Sequence, residues 1–360
     1  MRSLFFFFLA VSTAGAQLAR QTQTSNTTEN LRGVSAVSTQ IVWASGAHGT
    51  YVRTVDGGRT WIRAQVPDAA TLDFRGVVAF SADEAFLMSA GPGDQSRIYH
   101  TSDAGQHWQL QFSNTNPKGF FDSIAFWDST HGIVLGDPIP DESGQLKFEL
   151  LITEDGKSWT PIPAAQLPPA LQGEGAFAAS NTCLAILPSP DHNIWFATGG
   201  SAARVFHFSD SGKTWQVFDT PIARGPDSAG IFSIAFRDPL HGVIAGGDYK
   251  RPDDDGPNLA FTKDGGKTWS LSKIFPQSYY SAVAYDRKYK SPKAASLDED
   301  RAHTRLFIAA PKFFFDFRPP RNPTRISPPK KAGIQFNAVS AYPTGGAVFV
   351  GPKGSIATIP

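Results

Sequence analysis

Thr54-Val55-Asp56-Gly57-Gly58-Arg59-Thr60-Trp61 is the stretch that decides the fold, because it returns along the chain. It comes back as Thr101-Ser102-Asp103-Ala104-Gly105-Gln106-His107-Trp108 and, one residue shorter, as Thr153-Glu154-Asp155-Gly156-Lys157-Ser158-Trp159. Two more copies are Phe208-Ser209-Asp210-Ser211-Gly212-Lys213-Thr214-Trp215 and Thr262-Lys263-Asp264-Gly265-Gly266-Lys267-Thr268-Trp269. The aspartates at 56, 103, 155, 210 and 264 lie 47 to 55 residues apart. That period suits one four-stranded propeller blade per copy.

The motif has a mechanical reading. A carboxylate two residues before a glycine can accept backbone N–H groups in a tight turn, and the glycine permits positive φ there. The tryptophan that follows starts the next strand and packs between blades. Asp56, Gly58, Trp61, Asp103, Gly105, Trp108, Asp155, Trp159, Asp210, Gly212, Trp215, Asp264, Gly266 and Trp269 are therefore structural residues of Asp-box hairpins, not catalytic ones.

Other positions repeat in phase with the boxes. Each unit opens on an alternating strand, as in Leu31-Arg32-Gly33-Val34-Ser35-Ala36-Val37, Phe74-Arg75-Gly76-Val77, Ser123-Ile124-Ala125-Phe126 and Ser233-Ile234-Ala235-Phe236. A second strand ends on small residues, a third runs into the box, and a fourth leaves from its tryptophan. Period-2 meanders of this kind are blades. Phe126-Trp127-Asp128-Ser129-Thr130-His131-Gly132 and Phe236-Arg237-Asp238-Pro239-Leu240-His241-Gly242 are near-duplicates, which makes His131 and His241 turn residues before ligands.

The count reaches seven blades by two inferences, with six as the alternative. The sixth unit, about 281–329, has lost its box: Pro320, Asn322 and Arg325 stand where Asp, Gly and Trp belong. A polar loop, 287–301, interrupts it. The seventh unit ends after three strands, and residues near Arg20 to Ser25 carry the right offset to supply the fourth. An N-terminal strand would then close the last blade and remove exposed edges.

Composition bounds the rest. With 41% hydrophobic and 18% charged residues, 33 Gly and 27 Pro, this is a turn-rich globular chain. The formal net charge of +1 leaves no electrostatic footprint for nucleic acid. Arg2, the apolar run Leu4 to Val11 and Ala14-Gly15-Ala16 read as an export signal over 1–16, cleaved near Ala16, which leaves one propeller domain over 17–360 outside the cytoplasm. No other segment is apolar and long enough to span a membrane. Cys183 is the one cysteine, read as a buried small hydrophobe. No phosphate loop, zinc motif or nucleophile elbow occurs, and no cofactor or metal is expected.

The Asp-Gly-Gly-(Arg/Lys)-Thr-Trp boxes, the repeated opening Leu31 to Val37, the Phe-x-Asp-x-x-His-Gly turns and Val350-Gly351-Pro352-Lys353-Gly354-Ser355-Ile356 resemble the bacterial-neuraminidase-type Asp-box repeat superfamily. Within it they are most similar to the photosystem II stability/assembly factor family, over nearly the whole mature chain. The resemblance implies a non-enzymatic propeller that binds a protein partner in the cell envelope. Carbohydrate is the other ligand class, because the superfamily includes sialidases and two-carboxylate glycosidases. The sialidase Arg-Ile-Pro opening is absent from the first blade; Arg325-Ile326-Ser327 comes late and lacks the proline.

If the boxes join strands three and four, they share a face with the strand one–two turns. The opposite face then gathers loops that hold Arg75, Asp137, Glu174, Arg204 and Asp248, the candidate ligand or partner residues. The acidic run Asp253-Asp254-Asp255 lies on the same face but lacks calcium-loop spacing.

Overall fold

The computed structural model describes residues 21–187, 193–209, 214–272, 278–288, 305–311, 313–317 and 335–360. The expected export signal, the box residues Asp210 and Gly212, the decayed box at 320–325 and nearly all of the 287–301 loop lie outside the described residues. Described secondary structure is almost wholly β, with three short 3-10 turns.

The strands form seven antiparallel sheets. Sheet I is Leu31–Ala36, Val42–Gly46, Thr50–Thr54 and Ile62–Gln65. Sheet II is Asp73–Ala79, Ala85–Ala90, Arg97–Thr101 and Gln109–Ser113, and sheet III is Phe121–Phe126, Gly132–Pro140, Leu146–Thr153 and Thr160–Pro161. Sheet IV is Leu184–Ile186, Ile194–Ala197, Arg204–Ser209 and Thr214–Asp219. Sheet V is Ala229–Phe236, Gly242–Asp248, Leu259–Thr262 and Ser270–Leu271, extended by the two-residue strands Glu174–Gly175 and Gly199–Gly200. Sheet VI has three strands among the described residues, Ala282–Tyr285, Leu306–Ala310 and Phe313–Phe317. Sheet VII is Ala338–Ala341, Ala347–Gly351 and Ser355–Ile359, with Gln21–Thr24 from the N-terminus as its fourth strand.

Gln21–Thr24 pairs antiparallel with Ser355–Ile359, Gln21 opposite Thr358 and Thr24 opposite Ser355. This is the closing strand that the N-terminal offset predicts. First strands pack in sequence from sheet I to sheet VII, and Ala338–Ala341 packs back on Leu31–Ala36. Among the described residues six sheets have four strands or more. The three-stranded one falls where the sequence loses its box.

Burial explains the residue pattern. Second strands are covered on both faces by neighbouring sheets, so Ala85–Ala90 and Leu306–Ala310 are buried at every residue and read as continuous apolar runs. Fourth strands lie on the rim, so Ile62–Gln65 and Gln109–Ser113 are mostly exposed or half-buried. Inner strands present unpaired N–H groups toward the ring axis, a cost unless met. Hydroxyls from the preceding sheet around the ring meet several: Ala79 N donates to Ser35 Oγ at 3.0 Å, Ala36 N to Ser340 Oγ at 3.1 Å and Val283 N to Ser233 Oγ at 2.9 Å.

The Asp-centred turns are built alike. At Asp56, Oδ1 accepts Thr60 N at 2.9 Å and Oδ2 accepts the Thr60 hydroxyl at 2.6 Å, while Thr54 Oγ1 accepts Gly58 N at 2.9 Å. Gly57 and Gly58 both have positive φ, where a Cβ is strained. Asp103 accepts His107 N, Asp155 accepts Lys157 N and Ser158 N, and Asp264 accepts Thr268 N. The Thr60 hydroxyl and N–H hold the Asp56 carboxyl down at about 2, and His107 N–H and Ser158 N–H do the same for Asp103 and Asp155.

Each turn is also tied to the preceding sheet. Gln23 Nε2 donates to Gly57 O at 3.0 Å, Tyr51 Oη to Gly105 O at 2.9 Å, Gln111 Nε2 to Gly156 O at 2.8 Å and Trp195 Nε1 to Gly265 O at 2.9 Å. The turn tryptophans fill the matching interfaces. Trp61 packs among Val42, Val52, Val348 and Ile356, and Trp159 among Phe86, Ile98, Val134 and Leu151. Full burial of such a ring stabilises by several kcal/mol (about 3–5 lost on truncation to alanine).

His131 and His241 close their turns. Asp128 Oδ1 accepts His131 N and Asp238 Oδ1 accepts His241 N, both at 2.9 Å, and each imidazole turns back on the same carboxylate.

Candidate functional site

A recurrent irregularity in the inner strands builds the centre of the ring. In sheet I, Leu31 faces Gly46 and Gly33 faces Ser45, which leaves Arg32 as the extra residue of a β-bulge. Sheet II repeats it with Arg75 between Phe74 and Gly76, sheet III with Asp122 between Phe121 and Ser123, and sheet V with Phe232 between Ile231 and Ser233. A bulge re-aims the side chain it leaves unpaired. The four re-aimed side chains converge on two residues of the connection between sheets III and IV.

Those residues are Phe177 and Ala178. Ala178 O accepts Arg32 Nη2 at 3.3 Å and Arg75 Nη1 at 3.2 Å, while Ala178 N donates to Asp122. The Phe177 ring stacks on Phe232 with centroids 3.9 Å apart and planes 10° apart. On one side Ala176 N donates to Asp137 Oδ1 at 2.9 Å. On the other, Ser180 Oγ donates to Ser281 O at 2.8 Å, and Ile124 N donates to Asn181 Oδ1 at 2.8 Å. Residues 175–181 thus touch sheets I, II, III, V and VI and cross the channel.

The charges around this crossing are crowded and partly unmet. Arg32 Nε, Asp73 Oδ1 and Asp122 Oδ2 are buried without a hydrogen-bond partner among the described residues. Burial, with the nearby Asp137 charge, pushes the Asp122 carboxyl well above the usual range. Burial alone raises Asp137 to about 6. Arg75 is held by Asp73 at 2.8 Å.

The five sequence candidates divide accordingly. Arg75 and Asp137 belong to the channel crossing. Glu174 and Arg204 form a separate buried ion pair: Arg204 Nε donates to Glu174 Oε1 at 2.9 Å and Nη2 to Oε2, with Thr198 Oγ1 at 2.6 Å and Leu171 N at 2.9 Å completing the carboxylate. Asp248 stands apart and accepts Arg251 Nε and Lys250 N, both at 2.9 Å, with Asp254 on the same arginine. Among the described residues no acidic or histidine cluster is arranged to hold a metal ion.

One expectation is corrected. All five candidates lie on strands, not in loops. In sheet III the hairpin of Gly132–Pro140 and Leu146–Thr153 continues as a ladder past a bulge at Gly136/Pro138, so Asp137 is inside a strand and only 141–145 turn. Arg75 is a bulge residue of an inner strand. The residues that sequence reasoning missed are Arg32, Asp122, Phe177, Phe232 and Ala178. Arg32, Arg75, Asp122 and Phe232 all directly precede a Gly-Val or Ser-Ile pair that opens a repeated strand, but the shared position reveals a bulge only once the strand register is seen.

A cavity lies on the other side of the crossing. It is a funnel of about 870 Å³ at the box-side ends of the inner strands, walled by Ala125, Ala235, Ala284 and Ala341 with Trp127 and Tyr285. Arg237, Asp238, Asp286 and Arg287 ring it, and Thr182, just past the crossing, reaches its wall. A smaller groove of about 620 Å³ follows Thr22–Glu29 beside Arg63 and Lys353.

No protein-family model matches the chain, and no curated protein matches it. Solved structures do. A structure described as YCF48 bound to D1 peptide aligns at a TM-score of 0.61 with 14% identity, over 95% of this chain and 94% of the other. The chain has the β-propeller fold. The WD40 β-propeller domain of Doa1 aligns at 0.59 and U3-55K at 0.58, each with 11% identity over 95% of this chain and 98% of the other. Identities this low show shared architecture only, and propellers host many functions.

Proposed function

We propose that this propeller is a non-catalytic, extracytoplasmic binding scaffold of the photosystem II assembly-factor type, that its box-side funnel receives a polypeptide segment of a protein partner, and that sheet VI, three-stranded among the described residues, counts as a seventh blade. The observation that carries the reading is the funnel itself: a cavity of about 870 Å³ with largely apolar walls and charges of both signs among its lining residues. Concave, mostly apolar sites with a few polar groups at the edge suit ligand capture. Mixed rim charge suits a peptide better than a polyanion. A propeller of the same fold has been solved with a peptide bound, which supports the same ligand class here.

The glycosidase alternative draws on Asp137, an acid raised to about 6 as a general acid would be. Its neighbour Asp122 is only 1% exposed, under the 175–181 crossing, and Asp137 is engaged by Ala176 N. Glu174 and Asp248 are committed to Arg204 and Arg251. These four carboxylates brace the protein.

Panning purified protein against a displayed peptide library tests the reading. The wild type should enrich a peptide class, and Ala284→Trp, which fills the funnel, should lose it while Arg251→Ala retains it. Glycoside hydrolysis abolished by Asp137→Asn would establish the alternative.

A further inference from the structure

The charges of the box-side funnel are unequally committed. Among the described residues, Arg237, Asp238, Asp286 and Arg287 are the charged ones that line it. Asp238 Oδ1 accepts Leu240 N and His241 N, both at 2.9 Å, and Arg237 Nε donates to Asp238 Oδ2 at 3.3 Å. Asp286 Oδ2 accepts Arg305 Nη1 at 2.9 Å, with both side chains buried, and Asp286 Oδ1 accepts Lys288 N at 3.0 Å. Both acids are therefore met by the protein's own donors.

Arg287 is not met in this way. It stands two residues beyond the inner strand Ala282–Tyr285, and among the described residues its guanidinium has neither a hydrogen bond nor an ion pair. It is exposed at the cavity wall, where desolvation lowers its pKa and no acid offsets that loss. A guanidinium offers five N–H donors in a planar fork that matches a carboxylate. Of the four charges, the uncommitted one is thus positive, and it follows closely on the wall residues Ala284 and Tyr285.

We propose that the funnel selects an acidic peptide: a segment with an Asp or Glu side chain beside an apolar one, its carboxylate on Arg287 and its apolar group against the wall of Ala284 and Ala341. The proposal rests on the funnel being the peptide site and adds the chemistry of the guest. The apolar wall supplies burial without direction, and the ion pair fixes which residue of the guest sits at the mouth.

The charge count favours a carboxylate over the alternatives. A phosphorylated side chain brings about two negative charges. The funnel has one uncommitted cation to meet them, because Arg237 is already paired with Asp238, and the Asp238 and Asp286 carboxylates in the same wall repel a dianion more than a monoanion. A basic peptide fares worse, since neither acid of the wall is open to it and Arg287 repels it.

Panning a random displayed peptide library against the full chain, then titrating the enriched sequences as synthetic peptides amidated at the C-terminus, tests this. The wild type should enrich an Asp or Glu at one fixed position beside an apolar residue. Replacing that acid with Asn or Gln should weaken binding about tenfold, as should Arg287→Ala, and the two losses should not add. Arg287→Glu should turn the preference at that position toward Lys or Arg, with an unchanged melting temperature showing that the variant is folded. Three results overturn the inference while leaving the funnel as the peptide site, provided Ala284→Trp still abolishes binding: enriched sequences without an acid, an acidic preference that Arg287→Ala leaves intact, or tighter binding of a phosphoserine peptide than of its Glu counterpart. No enrichment, or enrichment that survives Ala284→Trp, overturns both the inference and the reading beneath it.

Discussion

Trp61 donates its indole N–H to Gln23 Oε1 at 3.0 Å, and the same glutamine donates to Gly57 O at 3.0 Å. Gln111 makes the same two-sided bridge to Trp159 and Gly156, at 3.0 and 2.8 Å. Gln111 belongs to an ordinary fourth strand, Gln109–Ser113; Gln23 belongs to the N-terminal strand Gln21–Thr24. The borrowed strand therefore engages its neighbour as an in-line one does, and ring closure uses the same joint as the interface of sheets II and III.

Gln23→Ala and Gln111→Ala should then cost similar amounts. Each leaves a buried indole N–H and a turn carbonyl unmet, about 1–3 kcal/mol. Urea denaturation of the two variants checks this. A neutral Gln23→Ala beside a costly Gln111→Ala would show that the N-terminal strand is not a working part of the ring.

Trp159 sits in the interface of sheets II and III with Phe126 edge-on at 5.6 Å. Trp159→Ala should destabilise by about 3–5 kcal/mol. Asp155→Ala, at the exposed turn, should do less, because its contacts are local and solvent-screened. Thermal unfolding of the pair distinguishes ring packing from turn chemistry.

Glu174 and Arg204 form a buried pair, the glutamate side chain fully covered and the arginine 14% exposed. Removing one partner strands a buried charge: Glu174→Ala should cost about 3–5 kcal/mol, and so should Arg204→Ala. The double variant should cost much less than the sum, with a coupling of about 1–3 kcal/mol. Additive losses in a denaturation cycle would mean that the pair is not coupled.

Acid should act through the turns. Asp56, Asp103 and Asp155 are held at about 2, below the ordinary 3.8, so their contribution is present above pH 4 and disappears as pH falls toward 2. The melting temperature should drop across that window, and Asp155→Asn should shrink the drop. An acid limb identical in Asp155→Asn would assign it to other carboxylates.

The sequence disclosed the architecture because its information is local and repeated. Asp56, Gly58 and Trp61 recur at blade spacing, and the offset of Arg20 to Ser25 reveals where the closing strand goes. The site was less legible. Arg75 and Asp137 were found, but Glu174 and Arg204 proved to be bracing partners, since no local pattern says that two charges 30 residues apart will pair. Arg32, Asp122 and Phe232 were missed because a bulge shows itself only in register, one residue opposite none. The crossing by Phe177 and Ala178 is a long-range event with no periodicity at all.

Site-specific photocrosslinking in native cells tests the central claim most directly. With benzoylphenylalanine at Ala235 or Ala284, on the funnel wall, the account predicts a crosslink to one discrete protein, absent when the probe replaces Arg251 on the opposite side. Crosslinking from Arg251 but not from Ala235 or Ala284, to that or any other protein, would contradict it.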